Sequence, residues 1–132
     1  MSLLAWFHSL LHPHKMNPFI PFSGRITAYG YPADSTPDSN SAAGIGAWDN
    51  HLVDGYSLAV SRDVEASFRA AGIAPMQTVE LYLKTGDEIT LCWDDRTAAN
   101  YDGRPLTGRF DIYCAKHPSA LVDTGVVGFR KV

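Results

Sequence analysis

Strict alternation of apolar and polar residues marks two neighbouring segments in the middle of the chain. In "TVELYLK" the residues Val79, Leu81 and Leu83 alternate with polar or amphipathic ones, and "EITLCW" repeats the pattern up to Leu91 and Trp93. Successive side chains of a strand point to opposite faces, so each segment predicts a half-buried strand. The intervening "TGD" predicts that the two strands form a β-hairpin.

Further segments predict short strands: "GRITAY", which begins at Gly24, "YSLAVS", "RFDIYC" and "VVGFRKV". In "RFDIYC" the alternation places Arg109, Asp111 and Tyr113 on one face and apolar side chains on the other. About six short strands suit a small closed barrel better than a sandwich of seven or more strands. Closure also removes exposed strand edges.

The segment "SRDVEASFRAAG" predicts one helix of about three turns. Ser61 is a suitable N-cap, and the glycine that ends the segment is a suitable terminator. Val64 and Phe68 share an apolar face of this helix. Glu65 and Arg69 are four residues apart, so we expect them to form an ion pair on the outer face.

Residues 1–23 predict a short helix and a proline-rich linker, and residues 24–132 predict the barrel domain. The first segment, "MSLLAWFHSLLHPHK", holds an apolar stretch of about ten residues, whereas a membrane-spanning helix needs about 20. No transmembrane segment is therefore expected. The apolar stripe of this helix is expected to dock on the domain itself or on a protein partner. The segment does not show the features of a standard secretion signal.

Composition and charge narrow the function classes. The chain has 132 residues, of which 45% are hydrophobic and 19% charged, as expected for one domain with a single core. The net charge of −3 and the scattered basic residues argue against a nucleic-acid partner. Cys92 and Cys114 can form one disulfide or remain two buried thiols. No metal site and no cofactor are predicted, because the N-terminal histidines have no acidic residue or cysteine nearby.

Carboxylates and aromatic residues are concentrated in "CWDDRTAANYDGRPLTGRFDIYC", residues 92–114. The pattern places Asp95 just past the end of one strand and Asp111 inside another, on the face that also carries Arg109 and Tyr113. Two carboxylates beside aromatic rings favour a glycan site, because glycoside cleavage needs a carboxylic acid and sugars stack on aromatic faces. The alternative is a surface salt-bridge cluster of small energetic value. Trp48, in the long loop before the second strand, is expected either to stack on a sugar or to anchor that loop to the core.

The order of four short motifs adds a resemblance. "ITAY", "AGIAPMQTVEL", "WDDRT" and "GRFDIY" together resemble the double-psi β-barrel families. These include rare lipoprotein A domains, the 3D domain found in membrane-bound lytic transglycosylase A, and the first domain of expansins. The resemblance covers roughly residues 24 to 132. It implies a mainly β fold, a six-stranded double-psi β-barrel with one or two short helices.

The resemblance also implies roles for individual residues. The catalytic aspartate of the lytic transglycosylases falls on Asp95, with Asp94 as a rival for that place, and their second aspartate falls on Asp111. Thr27 and Tyr29 match the first-strand threonine and aromatic residue that expansin-like barrels turn toward their groove. Arg96 follows Asp95 directly where the family has glycine. If the Arg96 side chain pointed the same way as Asp95, it would favour the ionised carboxylate and oppose an acid role.

The function expected from the resemblance is cleavage of peptidoglycan in the manner of a lytic transglycosylase, with a single aspartate as acid and base. The predicted catalytic residues are Asp95 and Asp111, and the predicted substrate-binding residues are Thr27, Tyr29, Trp48, Tyr101, Arg109 and Tyr113. The alternative is an expansin-like module that binds polysaccharide or a protein partner without chemistry. A cell-wall substrate would require a periplasmic or extracellular location.

Overall fold

The computed structural model describes residues 16–30, 43–114 and 124–132. This described part contains eight strands and one helix, which are β1 (Ile20–Tyr29), β2 (Ser57–Val60), α1 (Arg62–Ala70), β3 (Thr78–Leu83), β4 (Glu88–Arg96), β5 (Asn100–Tyr101), β6 (Arg104–Pro105), β7 (Arg109–Tyr113) and β8 (Gly125–Lys131). The predicted N-terminal helix and much of the long loop lie outside the described residues. No helix in the described part is long and apolar enough to cross a membrane.

Six strands close into one barrel in the order β1-β7-β2-β4-β3-β8. β1 pairs with β7 and β2 pairs with β4 in parallel, while the other four pairings are antiparallel. The remaining strands, β5 and β6, form a separate two-stranded hairpin. The prediction of a mainly β, six-stranded closed barrel is therefore confirmed, with one short helix in the described residues.

The helix completes the barrel core. Phe68 of α1 is fully buried and packs against Trp93, Phe110 and Phe129, with ring centroids 4.8 to 6.2 Å apart. These rings come from β4, β7 and β8, so one side chain of the helix contacts three strands of the cylinder. Buried aromatic side chains remove large apolar areas from water. α1 is thus part of the hydrophobic core and not an external addition to the barrel.

The first strand begins at Ile20, four residues before the glycine at which the sequence predicted it. Ile20 pairs with Phe129 of β8, and Phe22 packs edge-on against Phe110 at 5.8 Å, so apolar contacts extend the strand backward. At Gly24 the backbone passes over the ring of Phe110. A Cβ atom there would lie 2.5 Å from that ring, so this crossing requires glycine.

The predicted helix is confirmed, but two details of it differ. Glu65, expected on the outer face, is buried, and only 10% of its side chain is exposed. The expected ion pair with Arg69 is present at 3.0 Å, but Arg96 of β4 also reaches Glu65 and covers it. Ser61 occupies the N-cap position, yet its hydroxyl donates to the Asp63 carboxylate at 2.6 Å and caps no backbone N–H of the helix.

The prediction that Asp95 lies past the end of a strand is wrong, because β4 continues to Arg96. In the pairing with β2, Trp93 stands opposite Leu58, but the next residue of β2, Ala59, stands opposite Asp95. Asp94 is therefore an extra residue, a β-bulge in β4. The bulge interrupts the alternation of faces, and Trp93, Asp94 and Asp95 are all buried.

The structure decides whether the two cysteines form a disulfide or remain thiols, which the sequence left open. Cys92 and Cys114 are both buried and both free, so they are two thiols and not a disulfide. Burial, with a smaller contribution from the nearby Asp94, raises the pKa of the Cys92 thiol. A thiolate is the reactive form of cysteine, so Cys92 is held in its unreactive state.

Candidate functional site

An open groove with a volume of about 910 Å³ lies across the face of the barrel that carries the predicted carboxylates. Five predicted site residues line it, namely Tyr29, Asp95, Tyr101, Arg109 and Asp111. The structure thus brings both predicted catalytic aspartates to one groove together with two aromatic side chains. Three predicted site residues, Thr27, Trp48 and Tyr113, do not appear among the described residues of the lining.

One row of paired residues crosses four adjacent strands at this groove. Thr27 of β1 is opposite Asp111 of β7, Asp111 is opposite Ala59 of β2, and Ala59 is opposite Asp95 of β4. The two aspartates are thus two strand spacings apart, about 9.5 Å between their backbones. The short side chain of Ala59 leaves space between them. The bulge at Asp94 sets this register, because without it Asp94 would stand opposite Ala59.

The Asp95 carboxylate is held by three hydrogen-bond donors. The Tyr29 hydroxyl donates to Oδ2 at 2.5 Å, and the backbone N–H groups of Ala47 and Arg96 donate to Oδ1, each at 2.9 Å. In all three bonds the carboxyl group of Asp95 is the acceptor. No lysine or arginine of the described residues forms an ion pair with Asp95.

Tyr29 is a permanent donor to this carboxylate. Burial, together with the charge and hydrogen bond of Asp95, raises the pKa of the Tyr29 phenol above its ordinary value of 10.0. The phenol therefore keeps its proton at neutral pH. Its ring packs edge-on against Tyr113 at a centroid distance of 5.6 Å, and Tyr113 is itself only 8% exposed. Tyr113, predicted to bind substrate, thus supports Tyr29 from below the groove.

Asp111 is oriented by a neighbouring strand. The Thr27 hydroxyl donates to Asp111 Oδ1 at 2.8 Å, across the parallel pairing of β1 and β7. Asp111 is half-buried, so its carboxylate lines the groove while Thr27 fixes it from one side. Thr27 acts on the site through Asp111, without lining the groove itself.

Asp94, the alternative to Asp95 for the catalytic position, has different surroundings. It is 3% exposed, and the Ser57 hydroxyl donates to its Oδ2 at 2.7 Å. Its Oδ1 is buried without a hydrogen-bond partner in the described part of the chain. Burial is the main cause that raises the pKa of the Asp94 carboxyl above its ordinary value. Asp94 does not line the described groove, so Asp95 is the one of the pair that a ligand there can reach.

The side chain of Arg96 does not point to Asp95. Its guanidinium donates two hydrogen bonds to Glu65, at 2.7 and 2.9 Å. This bidentate contact is the main cause that lowers the pKa of Glu65. The condition under which Arg96 would have opposed an acid role of Asp95 is therefore absent from the geometry. Only the backbone N–H of Arg96 touches that carboxylate.

Trp48 anchors the loop that supplies the second backbone donor. Its ring packs edge-on against Trp93 at 5.6 Å, and the Arg96 guanidinium lies 4.9 Å from its ring centre. The neighbouring residue, Ala47, donates the N–H bond to Asp95. These contacts agree with the loop-anchoring alternative for Trp48, which holds one wall of the groove in place.

Tyr101 is the most exposed aromatic side chain at the groove. It lies at the end of β5, in a hairpin whose turn residues Asp102 and Gly103 have φ values of 53° and 76°. Two successive positive φ values are typical of a tight hairpin turn. The Tyr101 side chain is 75% exposed, so its ring face is open to a ligand.

Two charged lining residues were missed by the sequence analysis. Arg25 lies in β1 on the same alternating face as Thr27 and Tyr29, and that period of two could have identified it. Arg62 is the first residue of α1, and only the turn from β2 into the helix brings it to the groove. No periodic pattern in the sequence indicated that Arg62 would lie at the groove.

Comparisons with known proteins add no family to this geometry. The sequence matches no protein-family model, no curated protein and no solved structure. Among the described residues, no group of three or more histidine, cysteine or acidic side chains is placed to hold a metal ion.

Proposed function

We propose that this protein is a double-psi-type barrel that acts on a cell-wall glycan, with Asp95 as the acid and base. The observation that carries the proposal is the placement of Asp95 in an open groove, on three hydrogen bonds and without an arginine ion pair from the described residues. A surface salt-bridge cluster, the alternative for this stretch, would have locked the carboxylate to Arg96 or Arg109. Arg96 is instead bound to Glu65.

In this proposal the two oxygens of Asp95 have different tasks, because their hydrogen-bond partners differ. Oδ1 accepts from two backbone N–H groups, which can only donate. A proton on Asp95 therefore belongs on Oδ2. The Tyr29 hydroxyl can donate to Oδ2 both when Asp95 is ionised and when it is protonated, because a protonated carboxyl oxygen still accepts a hydrogen bond. The contact with Tyr29 can thus persist through both halves of an acid and base cycle.

In the proposed reaction, the proton on Asp95 Oδ2 passes to the glycosidic oxygen as the bond to the anomeric carbon breaks. The resulting carboxylate then accepts the proton of the 6-hydroxyl group of the same muramoyl residue. That hydroxyl oxygen bonds to the anomeric carbon and gives an anhydro sugar. The substrate supplies its own nucleophile, so one carboxyl suffices. Asp111 lies across Ala59 from Asp95, and in this proposal it binds the sugar on the other side of the cleaved bond.

A second candidate is a polysaccharide-binding module without chemistry. It is favoured by the exposed ring of Tyr101 at the groove, which can stack on a sugar without any proton transfer.

Incubation with peptidoglycan sacculi, followed by mass spectrometry of the soluble products, tests the proposal. We expect anhydro-muropeptides from the unaltered protein and none from Asp95→Asn. Asp102→Asn is the matched control, because Asp102 is exposed in the β5–β6 turn and asparagine tolerates its positive φ. Equal product from Asp95→Asn would remove the catalytic role of Asp95. Co-sedimentation with sacculi in the absence of any product would support the binding module instead.

A further inference from the structure

The charge of the groove is opposite to that of the whole chain. The charged residues among its described lining are four arginines and two aspartates, namely Arg25, Arg62, Arg96, Arg109, Asp95 and Asp111. The chain as a whole carries a net charge of −3. A concave site with an excess of one sign of charge raises the local concentration of ligands of the opposite sign. The groove therefore favours an anion although the protein does not.

Two of these arginines keep their hydrogen-bond donors for a ligand. Glu65 is occupied by Arg96 and Arg69 at 2.7 to 3.3 Å, and Arg62 approaches it only to 3.6 Å, beyond hydrogen-bond distance. The half-buried Arg109 forms no side-chain ion pair with any described residue. Arginine presents a planar fork of donors that matches the oxygens of a carboxylate or a phosphate.

The positive surface continues beyond the groove. A shallower cleft of about 400 Å³ shares Arg62 and Arg96 with the groove and is also lined by Arg69 and Glu65 of α1, so three guanidinium groups surround one carboxylate there. Guanidinium groups thus follow one another from Arg109 in the barrel to Arg69 on the helix. A chain molecule that occupies the groove at Asp95 would meet this surface where it leaves the groove.

We propose that the ligand of this groove is an acidic glycan, whose oxyanion is bound by Arg62 and Arg109 next to the sugar that Asp95 contacts. This inference rests on the proposed glycan function and specifies its substrate class. A nucleic acid is disfavoured as the occupant, because its binding requires many phosphate contacts and the basic residues outside this surface are scattered.

Calorimetric titration of the full chain with matched oligosaccharides tests the charge requirement. The probes are a hexamer of a uronic acid, its methyl ester, a glycerol-phosphate oligomer and a single-stranded oligonucleotide. The ester has the same sugar and length as the acid but no charge. We expect the acid to bind at least tenfold more tightly than the ester and its affinity to fall as salt is added. Equal binding of acid and ester, or no binding of the acid, the ester and the glycerol-phosphate oligomer alike, overturns the inference.

The other two probes identify the source of the oxyanion. Binding of the glycerol-phosphate oligomer in place of the uronic acid would keep the arginine site and assign it to a phosphate-bearing wall polymer. Tighter binding of the oligonucleotide than of both acidic polymers would overturn the glycan assignment.

Arginine variants locate the site. Arg62→Gln and Arg109→Gln should each weaken binding of the acid about tenfold, the loss expected for one charge-assisted contact, and leave the ester unchanged. The matched control is Lys84→Gln, which removes an exposed charge at the β3–β4 turn and should leave the affinity unchanged. An equal loss in Lys84→Gln would reduce the effect to net charge and overturn the site.

The two proposals fail separately. If Asp95→Asn abolishes cleavage of sacculi while acid and ester bind alike, the arginine inference is wrong and the catalytic proposal stands. If the acid binds through Arg62 and Arg109 but Asp95→Asn releases the same products from sacculi as the unaltered protein, the catalytic proposal is wrong and the arginine site stands.

Discussion

The buried carboxylate of Glu65 offers the sharpest test of how the helix is joined to the barrel. Glu65 lies on α1 and accepts two hydrogen bonds from Arg96 of β4, at 2.7 and 2.9 Å, and two from Arg69, at 3.0 and 3.3 Å. The substitution Glu65→Gln keeps the size of the side chain and removes its charge. It therefore leaves Arg96, whose side chain is 36% exposed, without its counter-charge.

The expected loss of stability follows from the burial of each partner. Breaking a buried ion pair costs about 3 to 5 kcal/mol, whereas exposed pairs contribute about 0 to 1 kcal/mol. The Glu65 side chain is 10% exposed, but Arg69 is 48% exposed, so solvent screens much of its attraction. We expect a loss of about 2 kcal/mol, between these limits. For 132 residues this lowers Tm by about 7 °C, from an unfolding entropy of about 2.1 cal/mol/K per residue.

The pH dependence has a definite sign. Arg96 first, and then Arg69, lower the pKa of Glu65 from its ordinary value of 4.5, so the folded protein binds this proton less tightly than the unfolded chain. The stabilisation is complete above pH 4.5 and is lost as the pH falls through the lowered value. The difference between wild type and Glu65→Gln should therefore be full at pH 7 and should shrink below pH 4.5.

Urea unfolding at pH 7 and at a pH below 4.5, followed by tryptophan fluorescence, measures the difference in stability between wild type and Glu65→Gln. Asp102→Asn is the matched control, because Asp102 is exposed and forms no ion pair with the described residues, and its effect should stay within about 0.5 kcal/mol. A change below about 0.5 kcal/mol for Glu65→Gln at pH 7 would refute the assigned role, as would a difference that does not depend on pH.

Three other substitutions or treatments have clear expected outcomes. Gly46→Ala should destabilise the protein by about 1 to 3 kcal/mol in urea unfolding, since its Cβ atom would lie 2.5 Å from the Asp94 carbonyl oxygen; an unchanged midpoint would contradict the packing of this loop. Phe68→Ala should cost about 3 to 5 kcal/mol, because it removes a fully buried ring from the core, and a loss below 1 kcal/mol would refute the placement of α1. Without reductant, a thiol reagent should label Cys92 and Cys114 rapidly in guanidinium and slowly in the native protein; absence of labelling in guanidinium would indicate a disulfide.

The sequence predicted the strands whose side chains alternate regularly. β3, β4 and β7 follow the period of two, and the "TGD" turn joins the first two of them. The register of β4 against β2 was not predictable in the same way. The bulge at Asp94 depends on pairing with a strand more than 30 residues away, and a local pattern contains no information about such a partner. The position of Asp95 opposite Ala59 follows from that bulge.

The site was predicted in part for similar reasons. Asp95 and Asp111 were identified from motif order, and the structure brings both to one groove. Arg96 was weighed as a neighbour of Asp95 because the two are adjacent in sequence. Its actual partner is Glu65, which the helical period had assigned to the outer face. Tertiary packing decides which partner a long side chain meets, so contacts of this kind cannot be derived from sequence spacing alone.

The pairing of the first strand has a consequence for biosynthesis. The two neighbours of β1 are β7 and β8, and both lie after residue 108. A nascent chain of about one hundred residues can pair β2 with β4 and β3 with β4, but its first strand has no partner. The row that joins Thr27 to Asp95 is completed only when β7 enters between β1 and β2. A product that stops before β7 therefore lacks this row and exposes open strand edges to proteases and chaperones.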